Sequence, residues 1–178
     1  MSVTYLKRAK PADTLQGSDL SAKVAAILAE VEEGGEAVAR RLARDLDHFE
    51  GEIEISEAAI AEACARVPQG LKDDIAYAHE NIARFAQSHR ASVRETEVEL
   101  RPGLTVGQRL IPVDAAGCYV PGGRYSHIAS AMMTVTTAKV AGVGHVAAVS
   151  PPRVGAPAGV PDAILYTLKL CGADRVLA

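Results

Sequence analysis

The residues best suited to chemistry lie in one short loop, Pro121-Gly122-Gly123-Arg124, with His127 three positions further on. The loop follows an apolar strand, Cys118 to Val120, and precedes a helix of small residues for which Ser126 is the expected N-cap. A helix N-terminus exposes backbone N–H groups and the positive end of the helix dipole, so it attracts anions. Because Arg124 and His127 add positive charge at this end, the pattern favours a negatively charged ligand.

The glycine turn matches neither of the two common nucleotide-binding loops, G-x-G-x-x-G and G-x-x-x-x-G-K-[ST]. From spacing alone, a tight turn that binds nothing is an equally open interpretation of Pro121-Gly122-Gly123. The continuous apolar segment His145 to Val149 follows the small-residue helix and predicts a second strand, which completes a β-α-β unit.

The rest of the C-terminal region extends this unit. A helix is expected from Asp162 to Cys171, with Gly172 as its C-cap, and a further strand from Arg175 to Leu177. Residues 114–178 are therefore predicted to form the first part of a Rossmann-like parallel α/β domain. Because α/β sheets usually contain more strands than these three, we expect the domain to be truncated and the chain to be a fragment of a longer enzyme.

Helical periodicity predicts an N-terminal helical region over residues 1–93. Ser18 or Asp19 is expected to cap its first helix, and the pair Gly34-Gly35 to end it. Ser56 is expected to cap the third helix. The fourth and longest helix presents an apolar seam at alternating spacings of four and three, formed by Leu71, Ile75, Ala78, Ile82 and Phe85. Between the two regions, residues 94–113 alternate in polarity around Pro102-Gly103, which predicts a β-hairpin with a type II turn.

Composition limits the classes of partner. The chain has 48% hydrophobic and only 4% aromatic residues, which predicts an aliphatic core and argues against stacking on nucleic-acid bases. A net charge of −3 gives no excess of positive charge that would attract nucleic acid or an anionic membrane. No apolar run approaches the roughly twenty residues that cross a bilayer, and the N-terminus lacks a signal-peptide core. We therefore expect a cytoplasmic protein whose partner is a small molecule or another protein.

The remaining reactive side chains are expected to be structural. Three widely spaced cysteines favour reduced, buried thiols over disulfides or a metal site: Cys64, Cys118 and Cys171. His79 and His89 have no second ligand at i+3 or i+4, so we expect solvated surface histidines rather than metal ligands. His145 opens a buried strand. Lys139 is expected to face solvent or to cap a helix C-terminus rather than to act in catalysis.

The run from Gly117 to Pro152 resembles the Y-V-P-G-G…A-K-V-A-G-V…S-P-P signature of the histidinol dehydrogenase family, and DAILYTLKLCGADRVLA resembles that family's next helix and strand. The resemblance implies a zinc-dependent, NAD-linked enzyme that oxidises a primary alcohol through an aldehyde to a carboxylate, usually L-histidinol to L-histidine. It also implies a homodimer of intertwined subunits. Tyr119, with Pro121, Gly122 and Gly123 beside it, would contact NAD; the alternative is that Tyr119 only packs at a strand end.

The loop GRYSHIAS is closer to the branch of that family that oxidises sulfopropanediol to sulfolactate. A planar guanidinium at Arg124 and an imidazole at His127 are suited to pair with sulfonate oxygens near a helix N-terminus. A surface or capping role for His127 remains the alternative.

The family's catalytic Glu-His pair and its zinc ligands, a Gln, two His and an Asp, match no residue of this sequence. We therefore assign no catalytic and no metal-binding residue here and expect these 178 residues alone to lack turnover. The alternative, from a different class of function, is a non-catalytic module that binds a nucleotide or anion, or that pairs with a partner subunit.

Overall fold

A computed structural model describes residues 15–122 and 125–178. Gly123 and Arg124, two of the predicted site residues, thus lie outside the described residues. The described chain forms two compact units, divided between residues 48 and 49. The boundaries predicted from the sequence, at 93 and 113, follow changes of element type and stay a prediction.

The first unit contains one interrupted helix, α1 (Leu15–Asp47). Gly35 adopts φ 57° and ψ −142°, which breaks the helix into two segments and confirms that the glycine pair ends the first of them. The predicted cap is wrong, because α1 begins at Leu15 and both Ser18 and Asp19 lie inside it. Several apolar side chains of α1 are exposed, among them Leu20, Val24, Leu28 and Leu46.

The second unit opens with α2 (Glu57–Arg66) and α3 (Gln69–Ser92). The Ala59 N–H donates to Ser56 Oγ at 3.2 Å, which confirms the N-cap predicted for the third helix, here α2. Along α3 the expected seam is buried at Ile75 and half-buried at most of its other positions. Phe85 is the exception at 74% exposure, because it lines an open groove rather than the core.

The predicted hairpin is confirmed as β1 (Thr96–Arg101) paired antiparallel with β2 (Leu104–Gln108). Gly103 adopts φ 80° in the turn, and its N–H donates to Glu99 Oε1 at 2.9 Å. Every residue of both strands is exposed, so the hairpin adds nothing to the core.

The α/β part follows the predicted order: β3 (Ala115–Tyr119), α4 (Ile128–Ala141), β4 (His145–Val149), α5 (Asp162–Cys171) and β5 (Arg175–Leu177). The three strands are parallel in the order β3-β4-β5. Gly172 ends α5 at φ 87°, as expected of a left-handed C-cap. The helices α4 and α5 pack on each other and on α3 and α2, which encloses an aliphatic core that includes Val135, Val146, Leu165 and Leu168.

One edge of the sheet is covered by a segment that lies far away in sequence. Ile55 N–H donates to Val176 O at 2.9 Å and Ala178 N–H donates to Ile53 O at 2.8 Å, so residues 53–55 run antiparallel along β5. A bidentate ion pair from Arg175 to Glu54, at 2.8 and 2.5 Å, reinforces this contact. None of the helices in the described ranges is long and apolar enough to cross a membrane.

Candidate nucleotide-binding site

The candidate site begins where β3 and β4 end. Beyond the last paired residues, Val120 N–H still donates to Val149 O at 2.8 Å, so the backbone is held up to the start of the glycine turn. Side chains alternate here: Cys118 and Val120 are buried, whereas Tyr119 between them is 59% exposed. Tyr119 therefore points away from the core at the carboxyl end of the sheet.

Gly122 is placed by a close approach to the loop after β4. A Cβ at this position would lie 3.1 Å from the Cβ, Cδ and carbonyl oxygen of Pro151. Such a separation is too short for most side chains, so the absence of a Cβ lets the two loops come together. The turn thus presents backbone rather than side chain at the strand ends, as nucleotide phosphates require.

The N-terminus of α4 lies at the same end of the unit. Its N-cap is His127, at φ −84° and ψ 63°, and no side chain caps the helix. The prediction that Ser126 is the cap is wrong because the helix begins one residue later; Ser126 instead offers its carbonyl to Ile128 N–H at 3.0 Å. Helix geometry leaves the N–H groups of Ala129 and Ser130 without an intrahelical acceptor.

The electrostatics of this helix end favour an anion. The first turn of α4 contains no acidic residue, so nothing on the helix neutralises the positive end of its dipole. His127 is exposed there and is free to add a donor. Pro121 and Gly122 are half-buried. Together with Tyr119 and His127, they make up four of the six predicted site residues, and these four lie at the carboxyl end of the sheet.

Two contributors were not assigned a role from the sequence. Pro151 forms the wall against Gly122, and Ser150, which is 1% exposed, donates its N–H to Leu177 O at 3.1 Å. Their signal was present in the S-P-P motif directly after the second strand. Tyr125 is exposed in the loop before α4, and no sequence motif like S-P-P assigns it a role.

Lys139 neither faces open solvent nor caps a helix. It is half-buried, and its Nζ lies 2.5 Å from Asp174 Oδ2, which also accepts the Val146 N–H at 2.6 Å. These two donors, the lysine first, hold the pKa of Asp174 below its ordinary value. The cluster ties α4 to the loop before β5, at the end of the sheet opposite the glycine turn.

The other reactive side chains fall outside this site. His145 begins β4 and is exposed, and His89 is exposed, whereas His79 is half-buried and lines a cavity of about 700 Å³ beside α3. All three cysteines are free thiols, as predicted. Cys118 and Cys171 are buried as expected, whereas Cys64 is only half-buried. Burial raises the pKa of Cys171. Among the residues that the structure describes, no group of three or more His, Cys, Asp or Glu side chains is arranged to hold a metal ion.

A parallel sheet whose first strand leads through a glycine turn to an uncapped helix N-terminus makes residues 115–178 the first part of a parallel α/β domain. The sequence profile of the histidinol dehydrogenase family matches residues 10–178, and the chain belongs to that family.

Similar proteins agree with this assignment. The sulfopropanediol 3-dehydrogenase of Ruegeria pomeroyi is 53% identical over all 178 residues, which cover 40% of that protein. A histidinol dehydrogenase homolog of Pelagibacter ubique is 43% identical over 99% of this chain and 41% of its own length. The crystal structure of histidinol dehydrogenase from Elizabethkingia anophelis shares the fold, with a TM-score of 0.79 at 23% identity over 96% of this chain and 38% of that one. The chain thus spans about 40% of these relatives.

Proposed function

We propose that this chain supplies the cofactor side of a zinc-dependent, NAD-linked dehydrogenase that oxidises a primary alcohol through an aldehyde to a carboxylate. Membership of a dehydrogenase family supports the reaction class. The observation that carries the cofactor assignment is the close approach of Gly122 to Pro151, which places a turn without a side chain at the end of the sheet where the uncapped helix α4 begins.

The residues present fit NAD. Its pyrophosphate would lie against Gly122 and the free N–H groups of Ala129 and Ser130, where the helix dipole favours negative charge. Tyr119 would contact the cofactor with its exposed ring, and Pro121 and Gly123 would shape the turn. When bound, NAD accepts hydride from the alcohol carbon. These residues of the chain hold and orient the cofactor.

The described residues contain no three-ligand cluster, so they do not fit a zinc site, and we assign no step through the metal to this chain. Zinc and the general base would come from the part of the longer relatives outside the matched region. For that reason the 178 residues alone are expected to lack turnover.

The proposed substrate is a sulfonated alcohol. A sulfonate is a permanent anion, and the exposed imidazole of His127, which precedes the N–H groups assigned to the pyrophosphate, could donate a hydrogen bond to one of its oxygens. The 53% identical relative is a sulfopropanediol 3-dehydrogenase, which supports this choice over L-histidinol. Arg124 is proposed as a second sulfonate ligand from the sequence alone. The complete protein is proposed to be a cytoplasmic homodimer.

The direct test uses a chimera in which this chain replaces the matched region of the Ruegeria relative. Formation of reduced NAD is followed with sulfopropanediol and, separately, with L-histidinol. We expect two NAD reduced per sulfopropanediol and slower reaction with L-histidinol, while the 178-residue chain alone gives none. Absence of NAD reduction with either alcohol by a folded chimera would refute the proposed activity.

A further inference from the structure

The ring of Phe49 lies between two glycines. A Cβ at Gly51 would stand 2.5 Å from Cζ of this ring, and a Cβ at Gly159 would stand 2.9 Å from its Cε2. Both separations are shorter than carbon atoms in van der Waals contact allow. A larger residue at either position would therefore displace the ring. Phe49 is half-buried in this place, whereas its neighbours His48 and Glu50 are exposed.

Gly159 closes the loop that follows β4, residues 151–160, which we call the β4 loop. Its carbonyl oxygen accepts the Arg153 N–H at 2.7 Å, and its own N–H donates to Ala156 O at 3.0 Å. Gly159 is buried and adopts φ 79°, a conformation that residues with a side chain rarely adopt. The hydrogen bonds tie the end of the β4 loop to its beginning, and the ring of Phe49 packs against that end.

The beginning of the β4 loop is the wall of the candidate cofactor site. Pro151 lies two residues before Arg153, and it stands against Gly122 of the glycine turn. The position of Pro151 therefore depends on how the β4 loop is held. Through this loop, a continuous series of contacts joins the ring of Phe49 to the turn.

We propose that Phe49 is a positioning residue for the NAD site, whose ring holds the β4 loop where Pro151 can meet Gly122. The inference rests on the proposed function, because NAD binding is the property that the loop would control. Loss of the ring leaves a gap beside Gly159, and a loop that relaxes into this gap carries Pro151 with it. The competing explanation is purely structural, with the ring only anchoring the segment before α2.

A double-mutant cycle on the chimera tests the proposal. Phe49→Ala should raise the dissociation constant of NAD about tenfold, since small displacements of a binding loop have effects of this size. Gly51→Ala should also raise it, because the three atoms nearest to the added methyl all belong to the ring of Phe49. In the Phe49→Ala background, Gly51→Ala should add less than about twofold. Losses that add in full would contradict action through the ring.

Ile75→Ala separates positioning from a general loss of stability. Ile75 is buried in α3, outside the β4 loop. Both Phe49→Ala and Ile75→Ala should lower the urea midpoint of unfolding, but only Phe49→Ala should weaken NAD binding to the folded chimera. Equal losses of NAD affinity, or parent-like affinity in Phe49→Ala, would overturn the proposal. If the Phe49→Ala chimera does not fold, Phe49→Leu and Gly51→Ala supply the same comparison with smaller changes.

Amide hydrogen exchange without NAD follows the β4 loop itself. In Phe49→Ala, the Arg153 N–H that bonds to Gly159 should exchange about tenfold faster or more, while the Val120 N–H keeps the parent rate. An unchanged rate at Arg153 would overturn the proposal. If Tyr119→Ala weakens NAD binding and Phe49→Ala does not, only this inference fails. Parent-like affinity in both variants would overturn the proposed NAD site and this inference with it.

Discussion

Gly122 lies so close to Pro151 that a Cβ at position 122 would stand 3.1 Å from three atoms of the proline. The contact joins the loops that follow β3 and β4, and it therefore sets the distance between the glycine turn and the rest of the sheet's carboxyl end. Gly122 has no Cβ, so the turn can approach Pro151 this closely.

Gly122→Ala should weaken NAD binding to the chimera by about tenfold or more, because the added methyl pushes the turn away from Pro151. Calorimetric titration with NAD measures the loss. Gly117→Ala is the matched control, since its Cβ meets no atom within 4 Å, and it should bind NAD as the parent does. Unchanged affinity in Gly122→Ala would show that the close approach does not shape the cofactor site.

His127→Ala should lower the affinity of the chimera for sulfopropanediol by about tenfold, the loss expected for one charge-assisted hydrogen bond. Affinity for L-histidinol, which has no sulfonate, should change little. His145→Ala is the control, because His145 is also exposed but lies at the amino end of β4. Equal losses for the two alcohols would remove His127 from sulfonate recognition.

The ion pair of Asp174 should make the free energy of unfolding depend on pH in the acid range. Lys139 and the Val146 N–H lower its pKa from the ordinary 3.8, so the folded state favours the carboxylate. That contribution is complete above the unfolded-state pKa and is lost as the pH falls through the lower folded-state value. Urea unfolding of the 178-residue chain between about pH 6 and pH 3 should therefore show a steeper loss for the parent than for Asp174→Asn. Asp74→Asn, on the exposed side of α3, should retain the parent slope.

The helix α5 offers a matched pair that tests the core. Leu165 is fully buried, and Leu165→Ala should lower the free energy of unfolding by about 2–5 kcal/mol through lost burial and a residual cavity. Leu170, on the same helix, is 37% exposed, and Leu170→Ala should cost clearly less. Chemical denaturation of the 178-residue chain measures both. Similar losses for the two variants would contradict the burial pattern of α5.

Local pattern was sufficient to predict most of the α/β part. The strand His145–Val149 is a continuous apolar run, and α5 ends at a glycine. The ends of both elements can therefore be located from the local sequence. The sequence places the start of α4 one residue too early. His127, the actual N-cap, adopts a non-helical backbone conformation that cannot be predicted from its residue type. Capping signals locate a helix end only to within a residue or two.

Long-range contacts could not be predicted in the same way. The bridge between Glu54 and Leu177 joins residues far apart in sequence, and nothing in either segment alone identifies its partner. Phe85 has the spacing of a core residue, yet no described element covers it. At the site, the glycine turn was visible in the sequence, whereas the wall formed by Pro151 depends on how two loops meet in space.

The central claim is that NAD binds at the carboxyl end of β3, beside Tyr119. The measurement that tests it most directly is the dissociation constant of NAD for the Tyr119→Ala chimera, compared with Tyr77→Ala on the exposed face of α3. We predict a loss of about tenfold or more for Tyr119→Ala and less than about twofold for Tyr77→Ala. Parent-like NAD affinity in Tyr119→Ala would contradict the proposed site.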